Sequence, residues 1–72
     1  MENILDEQTR ELVAIGASVA ANCLPCFRYH YKELKNFNVP DDEIEEAIEM
    51  AKTVKKQPDQ HMNDLIEKKL DK

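Results

Sequence analysis

The sequence holds a single glycine, no tryptophan and only two cysteines, and it has no excess of positive charge. With one glycine, and no alternation of β-branched with polar residues, strands and tight hairpins find no support. Fifteen acidic residues against ten basic ones leave a net charge of -5, so nucleic-acid phosphates would be repelled rather than bound. The longest uncharged stretch, Leu12 to Phe27, includes Asn22 and falls short of the ~20 apolar residues that span a bilayer. Met1 is followed by Glu2 and Asp6, without the basic start and apolar core of a secretory signal. These absences exclude nucleic acid and membrane as expected partners and point to a cytoplasmic protein. Two cysteines three positions apart also exclude a disulfide scaffold, because closing so short a loop removes little chain entropy.

What is present reads as helix throughout. Residues 1–72 make one domain, and a chain this short buries only roughly 60% of its unfolded surface. Prolines at 25, 40 and 58 punctuate four segments of an all-α bundle of three to four helices. The first helix should run from near Asp6 to about Ala21. From Leu12 to Ala21 it carries no charge on any face, and a helix apolar all round is surrounded on all sides. Its small residues, Gly16, Ala17, Ser18 and Ala20, would let neighbouring backbones approach closely. The first helix is therefore the expected centre of a homo-oligomer. The second should begin around Asn22 to Pro25, with Asn22 as N-cap, and end near Asn36. Phe27, Tyr31 and Leu34 form its apolar stripe, and Arg28, Lys32 and Lys35 form another, a solvated face. Asn36 to Pro40 reads as a turn. The third helix opens on Asp41, Asp42 and Glu43 and closes on Lys52, Lys55 and Lys56, a distribution that complements its dipole. The last, within 58–72, shows Met62, Leu65, Ile66 and Leu70 at helical spacing and should fray unless docked.

The chemistry concentrates in Cys23-Leu24-Pro25-Cys26 and His30. On a helix, residues three and four apart share a face, so Cys23, Cys26 and His30 converge. Two thiols able to close a disulfide beside an imidazole make a redox site. Position at a helix start favours a thiolate at Cys23, while the following histidine favours Cys26 as the activated thiol; the residues alone leave the direction of attack open. Zinc is the rival reading, held by Cys23, Cys26 and His30 with Glu11 or His61 as fourth ligand. A closed zinc site usually draws on a second ligand pair, which this chain lacks, and His61 reads as an exposed histidine in a polar segment. Tyr29 and Tyr31 flank His30 and read as packing or interface residues. Glu11 lies about 18 Å from Cys23 along a straight helix. If the second helix folds back, His30 stays about a turn and a half from it, which suits a water bridge rather than a direct bond. By its neighbours alone Glu11 reads as an exposed acid.

Glu11, Cys23, Cys26 and His30, at spacings of eleven, two and three intervening residues, resemble the E-x11-C-x-x-C-x-x-x-H signature of the alkylhydroperoxidase D-like branch of the carboxymuconolactone decarboxylase family. Val39 to Ala47 is similar to that family's next turn and helix, so the resemblance spans roughly 9–54. It implies an all-α fold with a helical hairpin core, oligomeric assembly and thiol-dependent reduction of hydroperoxides without a cofactor. By the same resemblance Cys26 is the peroxide-reactive thiol, Cys23 its resolving partner, and Glu11 and His30 a proton relay. A thiol reductant, a lipoyl-bearing or thioredoxin-like protein, would complete the cycle. The chain is shorter than full-length members, and Pro25 stands where the best-known enzymes have a histidine. Members without the thiols decarboxylate a lactone, and nothing in this sequence supports that activity. The alternative outside redox chemistry is an oligomeric scaffold or adaptor of the same fold.

Overall fold

A computed structural model describes residues 4–56 and 62–70 of the chain. Within them lie four helices and no strands: α1 Glu7–Ala21, α2 Leu24–Asn36, α3 Asp41–Lys55 and α4 Met62–Leu70. The expected all-α class is what is found. The expectations that fall on Pro58, His61 and the last two residues lie outside the described residues.

The first three helices start differently. At α1 the Asp6 carboxylate accepts the Thr9 backbone N–H at 2.8 Å, a side-chain cap on an otherwise orphaned donor. That backbone hydrogen bond, followed by one from the Thr9 side chain, holds the Asp6 carboxyl below its usual range. At α2 the cap is Cys23, with Pro25 in the first turn, where its missing N–H costs nothing. At α3 the preceding residue is Pro40, which supplies no side-chain cap, and Asp41, Asp42 and Glu43 in the first turn complement the dipole instead.

α1 and α2 end alike. Asn22 (φ 57°) and Asn38 (φ 60°) both take the left-handed conformation that usually falls to glycine, and asparagine tolerates it best among the other residues. After α1, Cys23 N–H donates to the Ser18 carbonyl and Asn22 N–H to that of Val19. After α2, Val39 N–H donates to Leu34 and Asn38 N–H to Lys35. Both are Schellman closures, which fold the chain back over the final turn. Asn22 is therefore the terminator of α1 rather than the expected cap of α2. The two roles favour the same residue type, and the left-handed backbone decides between them.

α1 packs against both α2 and α3. Ile15, Leu34, Val39 and Ile44 are buried, with Leu12, Phe27, Phe37, Ala47 and Ile48 packed around them. Ser18, the one buried polar residue among the described residues, donates its hydroxyl to the Ile15 carbonyl at 2.7 Å and so carries no unsatisfied group into the core. Lys35 joins the end of α2 to the start of α3 through Asp41, at 2.5 Å, and this hydrogen bond raises the Lys35 pKa. α1 is not enclosed within the single chain, however. Val13, Ala17 and Ala20 are exposed and, with Gly16, line an apolar groove of about 720 Å³ between α1 and α3.

Candidate functional site

The site is built where α1 turns into α2. Cys23 and Cys26 are joined in a disulfide, their Cα atoms 5.3 Å apart. The Cys26 backbone N–H also donates to Cys23 Sγ at 3.3 Å, so this sulfur occupies the position of an N-cap oxygen. A sulfur there faces the positive end of the helix, where negative charge is favoured. Cys23 is half-buried, whereas Leu24, Pro25 and Cys26 are exposed, leaving Cys26 as the cysteine open to an incoming molecule.

One turn further, His30 Nδ1 and Glu11 Oε2 lie 2.5 Å apart, with side-chain exposures of 26% and 20%. The pair is direct and half-buried, which corrects both the water bridge and the exposed acid expected from the sequence. The reason lies in the α1 terminus. Because Cys23 N–H bonds back to the Ser18 carbonyl, α2 starts beside Ser18 instead of beyond Ala21. Ser18 to Glu11 is then seven residues up α1, and Cys23 to His30 is seven residues down α2. Both climbs measure about 10.5 Å at 1.5 Å per residue, so the two side chains arrive at one level. Ser18 thus sets the register of the site through its backbone. No side-chain pattern signals that role, although a helix ending in asparagine could have suggested the fold-back.

The aromatic neighbours divide. Tyr29 meets the His30 ring edge-on, with centroids 5.0 Å apart, and restricts how the imidazole can turn. Tyr31 stacks on Phe27 at 6.0 Å, with the Lys35 ammonium 6.0 Å from its ring centre; it belongs to packing. Among the described residues no three His, Cys, Asp or Glu side chains come together as a metal-binding cluster. Cys23 and Cys26 are bonded to each other, His30 pairs with Glu11, and His61 lies outside the described residues. No described helix is long and apolar enough to cross a membrane.

The four residues singled out by spacing are thus arranged as two pairs at one helix junction, a disulfide and a carboxylate–imidazole. No curated protein and no solved structure matches the chain. The family description that does match is the carboxymuconolactone decarboxylase family, over residues 1–71, and with nearly the whole chain covered, the protein belongs to that family.

Proposed function

We propose that the protein is a thiol–disulfide redox enzyme that reduces hydroperoxides, working as a homo-oligomer in the cytoplasm. The observation that carries this reading is a disulfide at a helix start, one turn from an imidazole paired with a carboxylate. With Glu11 as a carboxylate, Nδ1 of His30 carries the proton it donates, and Nε2 is left as the basic nitrogen. His30 sits four residues after Cys26, on the same helical face, where such a base can take the thiol proton.

In the oxidative half, Cys26 thiolate attacks the distal peroxide oxygen and the O–O bond breaks. The alkoxide leaves as an alcohol with a proton returned by His30, and Cys26 becomes a sulfenic acid. Cys23 then attacks that sulfur, water departs, and the disulfide closes before over-oxidation can occur. In the reductive half, an external dithiol of the lipoyl or thioredoxin-like class attacks the disulfide, becomes oxidised itself and returns both thiols. Exposure of Cys26 and the position of His30 one turn after it support this division of labour; the helix-start position of Cys23 pulls the other way, toward a thiolate there. The chemistry requires neither metal nor organic cofactor.

Thiol titration before and after a hydroperoxide tests the reading. Two thiols should be lost per chain, and mass spectrometry should find two hydrogens missing from one peptide. Cys26→Ser should abolish peroxide consumption, whereas Cys23→Ser should allow one turnover and trap oxidised Cys26. Glu11→Gln should slow the peroxide-dependent loss of thiols by roughly 10²-fold, the lower range for a lost proton-transfer partner. An unchanged thiol count after peroxide would overturn it.

A further inference from the structure

Two apolar surfaces of this chain lie unused. One is the groove between α1 and α3, walled by Val13, Ala17, Ala20, Met50, Ala51 and Val54. The other is the face of α4 formed by Met62, Leu65, Ile66 and Leu70, each between 42% and 61% exposed. A nine-residue helix is shorter than the ~12 residues at which an isolated helix becomes even marginal in water, so α4 needs a surface to dock on.

From its residues we infer that the groove receives α4 of a second copy of this chain, an inference that rests on the homo-oligomeric reading above and gives it an interface. Length agrees: nine residues of helix cover about 13.5 Å, and the α1 wall from Leu12 to Ala20 rises about 12 Å. Charge agrees and sets the direction. α3 is acidic in its first turn, with Asp41, Asp42 and Glu43, and basic in its last, with Lys52 and Lys55. α4 starts with Asp64 and ends with Lys68 and Lys69. Laid antiparallel to α3, α4 brings Lys68 and Lys69 to Glu43 and Glu46 on the groove rim, and Asp64 to the lysine end. The helix dipoles then also oppose each other favourably; the parallel arrangement would pair like charges at both ends. The occupant is the neighbour's helix because the chain's own α4 leaves both the groove and its apolar face uncovered.

Complementation between two variants tests this. Ala17→Glu places a charge in the groove, and Ile66→Glu places one on α4; neither residue is in the buried core. The unaltered chain should sediment as an oligomer, each variant alone as a folded monomer by circular dichroism, and an equimolar mixture should regain a species containing one of each. Lys68→Glu with Lys69→Glu should weaken assembly roughly fivefold, the sum expected of two rim charge pairs. A monomeric wild type would overturn both this inference and the oligomeric reading, whether or not α4 closes over its own groove. An oligomer whose mass survives Ile66→Glu would leave that reading intact and overturn this one. Two monomeric variants that stay monomeric on mixing would do the same.

Discussion

α1 presents two different surfaces to its two partners. Toward α2 it offers positions that only one alignment satisfies: Glu11 opposite His30 and the Ser18 carbonyl under Cys23 N–H. Toward α3 it offers small apolar residues. Gly16 approaches Ala47 and Ala51, and a groove stays open beside them. Polar partners must match atom to atom, so they fix register; small apolar residues fill space without specifying where. The cysteine pair and the Glu11–His30 pair sit on the side with register, and the side without it is the one left free to meet another molecule.

Three measurements break or sharpen this contrast. The largest effect is expected at the shared core. Leu34 is fully buried, and Leu34→Ala should cost about 2–5 kcal/mol, against the roughly 5 kcal/mol total of a small domain. Urea melts should show a remaining stability of only about 0–3 kcal/mol; retention of most of the stability would mean that the core does not depend on the α1–α2 crossing. A smaller effect is expected at the α2 start. In reduced protein, Cys23→Ala should cost about 1 kcal/mol, as lost caps do, while Cys23→Ser keeps an acceptor and most of the stability. Equal losses in the two variants would remove the capping role. The smallest lies on the α3 side and has the opposite sign. A Cβ on Gly16 would meet Ala51 Cβ at 3.7 Å and the Ala47 carbonyl at 3.8 Å, ordinary contact distances. Gly16→Ala should therefore stabilise the fold by about 0.5–1 kcal/mol through lower unfolded-state entropy. A loss instead would mean that α1 and α3 sit closer than this groove allows.

What the sequence revealed, and what it hid, follows the same division. Helices bounded by prolines and by clustered charge were legible, because Pro25, Pro40 and the acidic start of α3 act on their own neighbours. The dithiol and His30 were legible because one helix face carries them. Glu11 was picked out only by the family signature and not by its own neighbours, since its partner lies nineteen residues away and their meeting depends on where α2 begins. That point hinges on Asn22, whose type suits either end of a helix. Exposure of Val13 and Ala17 was hidden for a related reason: an uncharged helix does not declare which of its faces the single chain leaves uncovered.

The junction between α1 and α2 has only two residues outside helix, Asn22 and Cys23, and this makes it act as a phase lock. One inserted residue would displace the Cys23 N–H from the Ser18 carbonyl, the bond that fixes where α2 starts beside α1. The imidazole would swing away from its carboxylate while both helices remained intact. Drift in the length of this connection is thus constrained far more tightly than drift in the helices it joins. A chain could accept many substitutions along α1 and α2 and keep its chemistry, yet lose it to one extra residue at their junction.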